Sequence, residues 1–209
     1  RLRQTGAMLL GKANMHELGM GVTGINPHHG SARNPYDPRR VTGGSSSGSA
    51  ACVGAGISPM ALGADGGGSI RLPAAFCGVV GIKPTFGRVP EGGAAPLCWT
   101  VAHLGPIAAT ALDAWAGYVA MTGPIEGDEV TLMQPPEQLN WPKTNGLEGK
   151  KIGIFRPWTS DTDEDVQKIF LKSLKQFEDC GAQLVDIEIE HLSLARVAHL
   201  TSIISEMGA

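Results

Sequence analysis

The 209-residue chain holds 42% hydrophobic and 18% charged residues with a formal net charge of -3, the balance of a globular protein with enough material for a core. That charge gives nucleic acid no electrostatic footing, and the basic residues are scattered rather than gathered in one stripe. No uninterrupted apolar run approaches the roughly 20 residues of a membrane-spanning helix.

In chain order, Ala7-Met8-Leu9-Leu10, bounded by Gly6 and Gly11, reads as a buried strand. Residues 21–44, rich in Gly, Pro, Asn and His and carrying Arg39-Arg40, read as a long structured loop. The small residues from Ser49 to Ile57 suit a tightly packed helix, and Met60-Ala61-Leu62-Gly63 suits a strand. Leu112, Trp115, Ala116 and Val119 fall on one helical face that Gly123 can end.

Residues 124–150, with Pro135-Pro136 and Pro142, read as a surface connection between a core of residues 1–123 and a strand-helix-strand-helix part, residues 151–209, of the same domain. In that part Ile152 to Phe155 is a strand. The helix after it has Val166, Ile169, Phe170, Leu174 and Phe177 on its apolar face, Asp161 or Thr162 to cap its start, and Gly181 at its end. Val185, Ile187 and Ile189 alternate with Asp186, Glu188 and Glu190, as in a half-exposed edge strand. Alternating strands and helices predict an α/β fold with a mixed β-sheet core covered by helices on both faces.

Cys52, Cys77, Cys98 and Cys180 form no C-x-x-C pair, which fits reduced thiols in an intracellular compartment. Cys77 reads as a small core residue. His28-His29 lies in a loop without acidic or cysteine companions, so no metal is expected there. No motif calls for a nucleotide or flavin, and no cofactor is expected.

The densest information lies in two small-residue clusters, Gly43-Gly44-Ser45-Ser46-Ser47-Gly48-Ser49 and Gly66-Gly67-Gly68-Ser69-Ile70-Arg71. Glycine runs leave backbone N–H groups uncovered and permit positive φ, so main-chain donors can meet negative charge on a bound group. The G-x-S-x-G match at Ser46 follows a loop where a nucleophile elbow needs a strand. The second cluster lacks the Gly-Lys-Ser/Thr of a phosphate-binding loop. Asp65 and Arg71 flank this second run with opposite charges and are expected to pair and hold it.

Several motifs together resemble the amidase signature family. They are Gly11-Lys12-Ala13-Asn14-Met15, Arg33-Asn34-Pro35, Gly43-Gly44-Ser45-Ser46, Leu62 through Arg71, Pro73-Ala74 and Gly78 through Thr85. The resemblance is strong over residues 6–90 and implies the amidase-signature fold and amide hydrolysis by a Ser–Ser–Lys triad. Ser69 would be the nucleophile and Ser45 the bridging serine, preceded by a cis peptide bond. The amides of Gly66, Gly67, Gly68 and Ser69 would hold the oxyanion, each worth roughly 3 kcal/mol in comparable sites. Ala64 stands where the family usually has threonine, which removes one hydroxyl from the expected network.

His16 through Gly21 and the triple serine are most similar to the plant branch of the family that acts on fatty acid amides and N-acylethanolamines. In that branch Gly19, Met20 and Val22 would line an acyl channel. The resemblance leaves peripheral attachment to the endoplasmic reticulum or plasma membrane, a cytoplasmic location and homodimerisation open. It equally admits a general amidase, a carbamoyl hydrolase, the glutaminase component of a tRNA-dependent amidotransferase, or an inactive truncated product.

The family's lysine belongs to an upstream segment absent from these residues. Lys12 aligns with the later Gly-Lys-x-Asn motif, and Lys83 with a structural one. With Arg1 opening the sequence in place of methionine and Ala209 following a helix-like run, the chain reads as a fragment, inactive alone, of a longer amidase.

Overall fold

Small residues set how closely the elements approach. Ser47 to Gly54, almost all small, form helix α1 (Ser47–Gly54). Strand β1 (Met60–Asp65), helix α2 (Arg71–Phe76), the short strand β2 (Val80–Gly81), strand β3 (His103–Ala108) and helices α3 (Ala111–Met121) and α4 (Glu129–Leu132) follow. The computed structural model describes residues 1–135 and 146–207, which fall into two units, residues 1–135 with 199–207, and residues 146–198.

In the first unit β3 is the centre of a three-stranded antiparallel sheet, in the order β1-β3-β2. The register runs from Met60 opposite Ala108 to Asp65 opposite His103. Ile107 and Ala61 pack with Ala50, Val53, Ile70 and Ala74, residues of α1, α2 and the turn before α2. Their neighbours Pro106 and Met60 instead meet Gly117 of α3, because successive strand residues point to opposite faces. Helices therefore cover both faces of this sheet.

The inner face of α3 consists of Ala114, Gly117, Tyr118 and Met121, an i, i+3, i+4, i+7 stripe. This corrects the expected face of Leu112, Trp115, Ala116 and Val119 at two positions: Leu112 is half exposed and Ala116 exposed, whereas Trp115 packs partly buried against Val89, Tyr118 and Met121. Close approach to β3 places the small Ala114 and Gly117 inward, which apolar patterning alone does not single out. A Cβ on Gly117 would stand 2.4 Å from Met60 Sδ and 3.0 Å from Pro106 Cβ. Gly117→Val is accordingly expected to cost about 1–3 kcal/mol by overpacking, measured as a fall in the urea midpoint of the polypeptide that carries this chain.

Other expectations also shift. Ala7 to Leu10 form no strand, and Met8, Leu9 and Leu10 are 85%, 71% and 72% exposed. An apolar run becomes a buried strand only when neighbours pair and cover it, and no strand among the described residues runs beside this one. The loop over residues 21–44 holds neither helix nor strand. The connection after Gly123 contains α4, whose Asp128 side chain accepts from the Thr131 amide at 3.1 Å; Pro136 and Pro142 lie outside the described residues.

The second unit contains strand β4 (Lys151–Ile154), helix α5 (Arg156–Thr159), helix α6 (Glu164–Asp179), strand β5 (Gln183–Asp186) and the first part of helix α7 (Leu192–Met207). β4 and β5 pair in parallel, Lys151 opposite Gln183 through Ile154 opposite Asp186, with α6 in the crossover, as parallel pairing requires. Ile154, Leu174 and Ala182 are buried. Val166, Ile169 and Phe177 are 53%, 68% and 42% exposed, since a two-stranded sheet is too narrow to cover the whole apolar stripe. The helix starts after Asp163, with no side-chain cap, rather than after Asp161 or Thr162. Gly181 takes positive φ just past its end.

Candidate active site

β1 delivers the chain to the second glycine cluster. Its last residue, Asp65, is fully buried and organises the turn that follows. Oδ1 accepts from the Gly68 amide at 2.7 Å, and Oδ2 accepts from the Ile70 and Arg71 amides at 3.1 and 3.2 Å. The Arg71 guanidinium closes the arrangement with two bonds of 2.9 Å, from Nε to Oδ2 and from Nη2 to Oδ1. Burial alone would raise the Asp65 pKa, but the arginine and the three amides outweigh it and hold the carboxyl below its ordinary value. The pairing expected of Asp65 and Arg71 is present.

The first cluster enters α1. Gly44–Ser45 is a cis peptide, as the resemblance implied. The Ser45 carbonyl accepts from the amides of His16 at 2.9 Å and Ser47 at 2.8 Å. Three of the neighbouring serines are committed to structure. Ser46 Oγ bridges the amide and carbonyl of Ala64, at 3.2 and 3.3 Å, Ser47 Oγ donates to Asn14 O at 3.4 Å, and Ser49 Oγ donates to Leu62 O at 2.7 Å. The Ser46 amide donates to the Ser69 carbonyl at 3.1 Å and so ties the two clusters together. Among the described residues, the hydroxyls of Ser45 and Ser69 make no such bonds.

The backbone donors divide in the same way. Gly68, expected to help hold an oxyanion, has its N–H engaged by Asp65 and is buried, so it is withdrawn from that role. Among the described residues the amides of Gly66, Gly67 and Ser69 donate to no protein acceptor. Each glycine of the run faces a different side chain: a Cβ on Gly66 would stand 3.2 Å from Ala102 Cβ, on Gly67 2.7 Å from His199 Nε2, and on Gly68 2.8 Å from Leu72 Cδ1.

Gly19 sits beside Ser45. At φ +73°, it would place a Cβ 3.2 Å from Leu97 Cδ2, 3.5 Å from Met15 Cε and 3.9 Å from Ser45 Oγ. The Val22 backbone lies where a Cβ on Gly44 would reach it at 3.1 Å. The side chains of Met20 and Val22 are exposed. Lys12 is exposed, and Lys83 donates to the Pro84 carbonyl; neither bonds Ser45. Buried Cys77 donates to Thr42 O at 3.6 Å, and burial pushes its thiol up to about 11, which keeps it protonated and unreactive. His28 Nε2 pairs with Glu17 Oε1 at 2.9 Å on the surface. No group of three metal-ligating side chains occurs among the described residues, and no helix there is long and apolar enough to cross a membrane.

Sequence reasoning passed over Met15, Leu72, Leu97, Ala102 and His199 at this site. It also passed over His103, buried opposite Asp65 in the ladder with Nδ1 3.0 Å from Glu91 Oε1. Only the Gly11–Met15 motif carried a usable signal, for Met15.

Comparisons with known proteins give the chain its family. The chain is 43% identical to a fatty acid amide hydrolase of Arabidopsis thaliana, over 97% of this chain and 34% of that protein. It is 38% identical to the A subunit of the glutamyl-tRNA(Gln) amidotransferase of Chromohalobacter salexigens, over 95% of this chain and 41% of that one. The chain thus spans well under half the length of these relatives. Among solved structures, the corresponding A subunit from Thermotoga maritima superposes with a TM-score of 0.93 at 35% identity, over 99% of this chain and 46% of that one. The peptide amidase of Stenotrophomonas maltophilia gives 0.92 at 32%, over 99% and 44%. The amidase family model matches residues 1–209 from end to end, and the chain belongs to the amidase signature family.

Proposed function

We propose that Ser69 and Ser45 are two members of a Ser–Ser–Lys relay, completed by a lysine from outside residues 1–209, and that the longer polypeptide hydrolyses fatty acid amides such as N-acylethanolamines. The observation that carries this reading is the 3.1 Å bond from the Ser46 amide to the Ser69 carbonyl. It holds the two serine clusters together while their neighbours' hydroxyls are occupied elsewhere.

A serine hydroxyl is a weak nucleophile and needs a base within reach. The lysine, neutral through burial, accepts a proton from Ser45 as Ser45 accepts one from Ser69. Ser69 Oγ bonds to the amide carbon, and the carbonyl electron pair becomes an oxyanion held by the Gly66, Gly67 and Ser69 amides. Collapse breaks the C–N bond, and Ser45 protonates the departing amine. Water, deprotonated through the same relay, then releases the fatty acid and restores Ser69. Asp65 and Arg71 keep the loop in shape throughout.

The lipid substrate is supported by the likeness to plant fatty acid amide hydrolases and by the apolar Met15 and Leu97 grouped around Gly19 next to Ser45. Kinetics of the longer polypeptide on a panel of a long-chain N-acylethanolamine, glutamine and a peptide with an amidated C-terminus tests it. The lipid amide is expected to have the largest kcat/KM, by about tenfold or more, since each buried methylene adds about 0.8 kcal/mol. The likeness to glutamyl-tRNA(Gln) amidotransferases and to a peptide amidase favours a second reading, hydrolysis of small polar amides. Higher kcat/KM for glutamine or the peptide amide would select it.

A further inference from the structure

The proposed mechanism uses the amides of Gly66, Gly67 and Ser69 but leaves open what keeps Gly67 in place. Asp65 secures Gly68, Ile70 and Arg71 by hydrogen bonds, and the Ser69 carbonyl is tied to Ser46. Gly67 is the exposed member of the run, and among the described residues its amide bonds nothing. Its neighbour is the half-buried imidazole of His199, with Nε2 2.7 Å and Cε1 3.2 Å from the position of a Cβ.

The imidazole is carried by a helix that is itself fastened to the same unit. Seven residues on, Glu206 accepts from the Thr100 amide at 3.1 Å and from the Thr100 hydroxyl. Residues i and i+7 share one helical face, so the side of α7 that Glu206 anchors is the side that presents His199. Thr100 lies two positions before Ala102, the residue against Gly66. Residues 199–207 of α7 are pinned beside the loop within this unit, and His199 forms its wall at Gly67.

We propose that His199 is a positioning residue for the amide loop: its imidazole walls the Cα of Gly67 so that the loop donors keep one orientation as the oxyanion forms. The inference rests on the Ser69 reading above. A Cβ at position 67 would overlap the imidazole, so an alanine there pushes on the rotatable end of the His199 side chain and on the loop donors. Because the ring ends a side chain that can rotate, the cost falls on donor geometry more than on folding.

The test is a double-mutant cycle in the longer polypeptide, read as kcat, KM, melting temperature and inhibition by a substrate-like trifluoromethyl ketone, whose adduct with the nucleophile carries the same oxyanion. His199→Ala is expected to lower kcat and ketone affinity about tenfold, a fraction of the loss on removing a whole donor, with KM within about twofold and the melting temperature little changed. Gly67→Ala is expected to lose more, and His199→Ala in that background to restore part of the loss, the non-additivity of groups in contact. His199→Gln, planar and of similar reach, is expected to retain most of kcat. Unchanged kcat and ketone affinity in His199→Ala, multiplying losses in the double variant, or a Gln variant as slow as the Ala one would each overturn the proposal. Turnover that survives Ser69→Ala would instead overturn the Ser69 reading, and this inference with it.

Discussion

Replacing Ser69 with alanine in the longer polypeptide is expected to lower kcat by about 10⁵-fold, leaving the residual rate that binding and the remaining donors provide in comparable serine hydrolases. The substitution removes one oxygen from a turn whose backbone is held independently, through the Ser69 carbonyl, the Ser46 amide and the Asp65 carboxylate, so the fold should persist. Ser45→Ala should cost less, about 10²–10⁴-fold, because it removes proton transfer and leaves the nucleophile in place. Ser46→Ala separates chemistry from architecture. It deletes a hydroxyl bonded to both backbone groups of Ala64 and should lower stability by about 1 kcal/mol with far less effect on kcat. Labelling with a fluorophosphonate followed by peptide mapping checks the ranking directly. A label on any residue other than Ser69 would defeat the nucleophile assignment.

How much of this was readable from the chain depends on the range of the interaction. The two glycine-serine clusters were legible because their chemistry is local: Asp65, Gly68 and Arg71 lie within six residues, and a charge on each side of a glycine run suggests the pair that forms. β1 and α1 were legible from short-range pattern. β3, the central strand of the first unit, was not, because Gly105 and Pro106 interrupt its apolar pattern. Gly105 is there because a Cβ would meet the Ile82 carbonyl oxygen at 2.1 Å, a fact of packing that no local pattern carries. The α3 face was misread at Leu112 and Ala116 for the same reason, close packing having turned Ala114 and Gly117 inward. His199 was out of reach altogether, since only the folded chain brings α7 to Gly67.

The second large effect concerns stability. Asp65→Asn is expected to destabilise the fold by about 3 kcal/mol at neutral pH, the lower end for breaking a buried ion pair, measured as the change in urea midpoint. An amide presents one oxygen where the carboxylate presents two. Five donors converge on Asp65, and an asparagine side chain in its place would turn an NH₂ toward some of them, adding repulsion to lost bonds. Arg71→Ala should cost less, because three backbone amides still serve the carboxylate and the arginine side chain is itself 57% exposed, where solvent screens its charge. The pH dependence gives an independent check. The folded-state pKa of Asp65 is lowered relative to the unfolded chain, so its contribution is complete above the ordinary carboxylate value of about 4 and is lost as pH falls toward the folded value. The gap between wild type and Asp65→Asn should therefore stay constant from pH 7 to about 5 and narrow below about 4. A gap that stayed constant down to about pH 2 would mean that the loop depends on the shape of residue 65 and not on its charge.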